Sequence, residues 1–249
     1  VILQKIDNKI GYITLNNPKR KNVLSKDFIR SLKNVVEGFE KNPNVHVIVV
    51  KGTDGVFSAG ADIFELAKET CTSVESYDFI QEWCIFECCE KPVVVGINGT
   101  CLGGGLEIAF QGDMIVMAES AKIGLPEIKL NGFPGGGGIS RLVHTVGYFK
   151  AFELVALGDM IDAPTAKSLN IVNYVVEDIL FEQKLSDVAK KLVDFDIAAL
   201  KAIKRIAHAA QNLPLMNALI LEKNAFYDHL DSKPFQEKLK LFTDKTNKK

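Results

Sequence analysis

The sequence predicts an α/β protein that ends in a helical region. Apolar strand-like runs alternate with helical-period segments through the first half, and helical periodicity dominates the last third. No charge block or low-complexity linker interrupts the chain. Alternation of this kind implies a sheet with covered faces.

Taken in order, Ile10 to Leu15 reads as a strand that ends at Asn16-Asn17-Pro18. Ser25 is placed to cap a helix through Phe28, Leu32, Val35, Val36 and Phe39, which Asn42-Pro43-Asn44 breaks. Val45 to Val50 is an unbroken apolar run and therefore a buried strand. Gly52 to Gly60 reads as loop, with helix resuming near Ala61 and again from Val74 to Cys89. Pro92 to Ile97 is a strand leading into Asn98-Gly99. Gly103-Gly104-Gly105 opens a helix ending near Gly112, and Met114 to Met117 is a strand. Beyond Gly136 the pattern is helical apart from Ile171 to Val176. Ala198 to Ala210 and Leu215 to Phe226 are amphipathic, as terminal helices are when they cover a sheet or a neighbouring subunit. Lys238 to Lys249 is basic and expected to fray.

Composition narrows the function. The 249 residues are 47% hydrophobic and 24% charged, which suits a globular core. A formal net charge of −1 argues against general nucleic-acid binding, although Lys19-Arg20-Lys21 is a local basic cluster. The five cysteines, Cys71, Cys84, Cys88, Cys89 and Cys101, show neither a disulfide framework nor paired C-x-x-C spacing. They read as reduced thiols of a cytoplasmic protein. His46, His144, His208 and His229 lack ligand spacing, and no metal site is expected. No apolar run is long enough to span a bilayer. The glycine patterns of a Rossmann site, a P-loop and a nucleophile elbow are all missing.

What remains is a pair of glutamates beside glycine clusters. Gly104 and Gly105 stand at a helix start, where N–H groups have no intrahelical partner and the dipole is positive. Such amides suit a carbonyl oxygen that gains charge. Glu107 falls in the same first turn, where the dipole favours its ionised form. The triplet serves equally for close helix–strand packing with Glu107 on the surface, and the segment alone does not choose. A second N–H is available from Phe57-Ser58-Ala59-Gly60-Ala61-Asp62, at Ala61, beyond a strand end where ligands collect in parallel sheets. That stretch is also an ordinary strand-to-helix loop with Asp62 as cap. Pro126 restricts the backbone before Glu127, which fixes a carboxylate or merely shapes an exposed turn. Gly135-Gly136-Gly137-Gly138 either binds an anion or permits tight packing.

Together these segments resemble the crotonase superfamily of enoyl-CoA hydratases and isomerases. The likeness runs from Ile10 to about Phe242. It rests on Pro18-Lys19-Arg20-Lys21-Asn22-Val23-Leu24, on Phe57 to Ile63, on Asn98 to Glu107, on Gly124-Leu125-Pro126-Glu127-Ile128 and on Pro134 to Leu142. The resemblance implies a spiral of ββα units over residues 1–192 and a helical oligomerisation region over 193–249, assembled as a homotrimer or dimer of trimers. It implies an acyl-CoA thioester whose carbonyl oxygen sits between the Ala61 and Gly104 N–H groups. Glu107 would activate water for attack at Cβ, and Glu127 would supply the proton at Cα. Lys19, Lys21, Ala59, Asp62, Ile63 and Gly103 would border the CoA substrate. No cofactor beyond the substrate's own coenzyme A is implied, and no nucleic-acid or membrane partner. The paired glutamates favour a hydratase over an isomerase, a specialised dehydratase or a non-catalytic acyl-CoA-binding subunit. Gly138-Ile139-Ser140, Asn131-Gly132-Phe133 and Glu237-Lys238 depart from the usual pattern, the second of them near the acyl pocket of relatives.

Overall fold

Val47, Ile48, Val49 and Val50 are fully buried, as an unbroken apolar run requires, and each such burial is worth about 1.5–3 kcal/mol. They belong to a computed structural model that describes residues 1–70, 72–73 and 82–246. A hairpin comes first: β1 (Ile2–Asp7) pairs antiparallel with β2 (Ile10–Leu15). In α1 (Lys26–Lys41) the Ser25 hydroxyl accepts from the Phe28 N–H, and one face buries Phe28, Ile29, Leu32, Val36 and Phe39.

A strand–strand–helix pattern then repeats. β3 (Val47–Lys51), β4 (Val56–Ser58) and α2 (Ile63–Leu66) form one turn. The next turn contains β5 (Val93–Ile97), β6 (Thr100–Leu102) and α3 (Gly104–Ala109). A third has β7 (Met114–Ala118), β8 (Lys122–Gly124) and a 3-10 turn, Pro126–Leu130. The first strand of each pair joins a six-stranded sheet ordered β1-β2-β3-β5-β7 and then β10 (Tyr174–Val176), and the second joins a four-stranded sheet ordered β4-β6-β8 and then β9 (Ile161–Asp162). This is the expected ββα spiral. The elements that complete it are α4 (Gly138–Val146), α5 (Tyr148–Leu157), β9 (Ile161–Asp162), α6 (Ala163–Ser168), β10 (Tyr174–Val176) and α7 (Phe181–Val193). In the smaller sheet β4, β6 and β8 are parallel. Their carboxyl ends therefore share one edge, and the loops after them meet there.

The chain divides into two compact units, Val1–Val193 and Asp194–Lys249. The second unit contains α8 (Ile197–Ala210), α9 (Leu215–Leu230) and α10 (Lys233–Thr246). Asp196 caps α8 through the Ala199 N–H, and α8 packs on α9.

Several expectations change. The short strands β4, β6, β8 and β9 have two or three residues, too few for alternation to register. Gly52 to Gly60 is therefore not all loop. The glycine-triplet helix stops at Ala109, before Gly112. Of the helix expected from Val74 to Cys89, residues 74–81 lie outside those described, and 84–89 are not helical. The Gln111 side chain explains this locally: its Oε1 accepts from the Ile85 and Phe86 N–H groups at 2.8 and 3.1 Å, taking donors a helix would use. The basic tail is helical through Thr246, where fraying was expected.

Candidate active site

The oxyanion candidates come together because β4 and β6 are parallel neighbours. A Cβ built on Gly104 would stand 3.4 Å from the Ala61 nitrogen, and one built on Gly60 would stand 3.3 Å from the Gly104 nitrogen. Surrounding amides are engaged. Ala59 N–H donates to the Lys21 carbonyl, Gly60 N–H to the Ser58 hydroxyl, and Asp62 N–H to the Leu24 carbonyl. Among the described residues the Ala61 and Gly104 N–H groups donate to none. Two unpaired donors facing a cavity are what a developing oxyanion needs. The Trp83 indole lies so close that a Cβ on Gly104 would stand 2.7 Å from its Cζ3. Glycine is required there for close approach.

These amides open into a cavity of about 310 Å³. Its lining includes Ala59, Ala61, Asp62, Ile63, Trp83, Gly103, Gly104, Glu107 and Glu127. Glu107 is only 4% exposed, so it is not a surface residue. Its Oε1 accepts from the Gly136 N–H at 2.7 Å and the Gly138 N–H at 2.9 Å. The anion met by the second glycine cluster is thus the protein's own carboxylate. Glu127 stands half-buried on the 3-10 turn, and its Oε2 is buried with no hydrogen-bond partner among the described residues. Gly103, at φ 52°, makes room for its other oxygen: a Cβ there would lie 2.9 Å from Oε1.

The two carboxyls sit in unlike electrostatic settings. Burial pushes Glu107 above the usual carboxylate range, against the Gly138 and Gly136 N–H bonds and the Arg141 charge. The short α3 dipole does not hold it down as the sequence suggested; desolvation outweighs it. Burial likewise pushes Glu127 up; its own N–H opposes this, and the nearby charge of Glu107 raises it further. Glu107 thus has donors that favour the anion, whereas Glu127 has a bare oxygen and an anionic neighbour. Environments that differ in this way divide base from acid.

Lys19 and Lys21 are exposed and do not line this cavity. Their neighbour Arg20 instead pairs with Asp62 at 2.8 Å. Burial raises the Asp62 carboxyl, but Arg20 and the Phe64 N–H overcome this and leave it below its ordinary value. Asp62 is therefore both cavity wall and cap of α2. Sequence reasoning missed the parts played by Trp83 and Arg141. For Gly136 and Gly138 it offered anion binding without naming Glu107 as the anion. Among the described residues no cluster of three His, Cys, Asp or Glu side chains is placed to hold a metal.

The family described as Enoyl-CoA hydratase/isomerase matches residues 5–249. A protein named "Probable enoyl-CoA hydratase, mitochondrial" from Dictyostelium discoideum is 33% identical over 239 residues, covering 95% of this chain and 86% of the relative. "Enoyl-CoA hydratase, mitochondrial" from Pongo abelii is 35% identical over 240 residues, 96% of this chain and 82% of the relative. The crystal structure of "Enoyl-CoA Hydrates Subunit I" from Geobacillus kaustophilus HTA426 superposes with a TM-score of 0.96 at 33% identity, covering 98% of this chain and 95% of that one.

Proposed function

Because the chain belongs to the enoyl-CoA hydratase/isomerase family, we propose that it adds water across the 2,3 double bond of a 2-enoyl-CoA to give a 3-hydroxyacyl-CoA. The observation that carries this is the pairing of Glu107 and Glu127 in one cavity, each in its own protonation environment, beside two amides without a partner among the described residues.

The thioester carbonyl draws electrons from the double bond. Its oxygen accepts from the Ala61 and Gly104 N–H groups, and removing one such donor costs about 3–4 kcal/mol. Glu107 takes a proton from water as the water oxygen bonds to Cβ. The π electrons shift toward the carbonyl oxygen, giving an enolate. Glu127 then delivers its proton to Cα, and exchange with solvent resets both carboxyls. General acid–base help of this kind contributes about 10²–10⁴-fold. The reverse direction dehydrates a 3-hydroxyacyl-CoA.

We read residues 194–249 as the oligomerisation region of a homotrimer or dimer of trimers, on its helical make-up and the family likeness. Among the described residues Cys84, Cys88, Cys89 and Cys101 form no disulfide, which suits the reducing cytoplasm. Among the described residues no helix is long and apolar enough to cross a membrane.

The test is hydration of short, medium and branched 2-enoyl-CoAs, followed by loss of the conjugated thioester absorbance. Glu107→Gln and Glu127→Gln should each cut turnover by about 10²–10⁴-fold while the fold persists by circular dichroism. Thioester binding by the wild type with no turnover on any of these substrates would sink the hydratase reading and favour a binding subunit.

A further inference from the structure

The proposed base has a cation behind it, Arg141. Arg141 lies on α4, the helix whose first residue, Gly138, donates to Glu107. Its Nη1 donates at 3.3 Å to the carbonyl of Gly136, the other residue that donates to Glu107. Its Nη2 is paired with the Glu87 carboxylate. Gly137, between the two donors, has φ 96°, and a Cβ there would collide with the guanidinium. One side chain thus grips the turn that presents both N–H groups to Glu107, and Glu87 grips that side chain in turn.

We propose that Arg141, moored by Glu87, is a positioning residue that holds the Gly136 and Gly138 amides on Glu107 and sets the pH range in which Glu107 can accept a proton. The reasoning is electrostatic and geometric together. Burial favours the neutral acid, so a buried base works near neutrality only if other groups favour its anion. Two N–H bonds do so only while the turn keeps its shape. A guanidinium keeps its charge at every working pH and stays planar, so it both shapes the turn and supplies a fixed positive field. Arg141 is one-quarter exposed, so solvent weakens this field without removing it.

Among the described residues, the titratable groups that act on this pair come from two neighbouring segments. Glu127 faces Glu107 from the 3-10 turn and feels its charge. Glu87 and Cys84 face Arg141 from the segment after Trp83. Burial raises the Cys84 thiol, with Glu87 and Cys88 adding to the rise, so it stays neutral and does not compete for Arg141. Glu87 offsets part of the Arg141 charge but fixes its place.

This inference rests on the hydratase reading, and its test separates the two. The acidic limb of the kcat/KM–pH profile would be compared for wild type, Arg141→Gln, Arg141→Lys and Glu87→Gln. In parallel, carbon-13 NMR would follow the Glu107 carboxyl, assigned by its loss in Glu107→Gln, and this needs no turnover. Arg141→Gln should move both the limb and the carboxyl titration upward by about one pH unit. Arg141→Lys should restore part of the shift, and Glu87→Gln should produce a smaller upward shift by unmooring the cation. Glu87→Gln is the milder change and carries the test if Arg141→Gln proves unstable. Uniform loss of activity with limb and carboxyl titration unmoved in these variants would make Arg141 merely structural and overturn the proposal. Absence of wild-type turnover would instead sink the hydratase reading, with the NMR titration still deciding the role of Arg141.

Discussion

The turns at Gly103–Gly105 and Gly135–Gly138 look alike as sequence, each a glycine run opening a helix, yet the structure uses them in opposite ways. At the first, the Gly104 N–H stays without a partner among the described residues and points to a site with Ala61. At the second, the Gly136 and Gly138 N–H groups are already spent on Glu107. The first binds an oxygen that arrives with the substrate. The second binds an oxygen that the protein itself supplies. The difference follows from what is buried nearby: a carboxylate without donors costs several kcal/mol in the interior, so the fold brings donors to it. A glycine-rich helix start therefore identifies donor amides, not their client.

Substitution at the two turns should separate these roles. Gly104→Ala places a methyl group against Trp83 and over the free amide. It should lower kcat by about 10²–10³-fold, the cost of one oxyanion donor, and the loss should be the same at every pH. Gly136→Ala places a Cβ 2.9 Å from the Glu107 Oε2 and displaces the carboxyl from its donors. Loss of one charge-assisted hydrogen bond, about 1.5–3 kcal/mol, corresponds to roughly ten- to a hundredfold in rate. Here the loss should shrink as pH rises, because the proton that blocks the base is removed by alkali. The measurement is kcat/KM against pH for both variants. A pH-independent loss in Gly136→Ala, or a pH-dependent one in Gly104→Ala, would break the contrast between the turns.

The legible part of this site lay in glycine- and proline-marked segments read together. Around Glu107, Glu127, Ala61 and Gly104 each segment alone left a packing or turn reading open; their order along the chain, read as a family likeness, joined them, while the three-residue strands that aim them left no signal. What escaped was set by distant pairing. Arg20 meets Asp62 across 42 positions, Arg141 meets Glu87 across 54, and Gln111 unwinds the segment at Ile85 across 26. None of these contacts has a period or a spacing, and each is fixed by sheet topology. Charge marked the turn Lys19-Arg20-Lys21, but it did not show that Arg20 is the member the fold pairs with Asp62.

The smallest expected effect concerns stability, and it distinguishes the two acids rather than the two turns. Glu127 has a raised carboxyl and a buried oxygen with no partner among the described residues. The folded chain therefore holds this proton more tightly than the unfolded chain does. Stability from this group is greatest below the ordinary carboxylate value of 4.5 and falls as pH rises from there through the raised folded value. Above that value the cost of the buried charge is complete. Glu127→Gln removes the charge at nearly constant shape. It should raise Tm at pH 7 by about 2–4 °C for each kcal/mol relieved, and the gain should vanish as pH falls to about 4.5. Glu107→Gln should gain less, because the charge it gives up was favoured by two N–H groups and by Arg141. Calorimetry of both variants across that pH range is the check. An equal gain in the two would mean that the Gly136 and Gly138 amides do not distinguish base from acid, whatever their distance from Glu107.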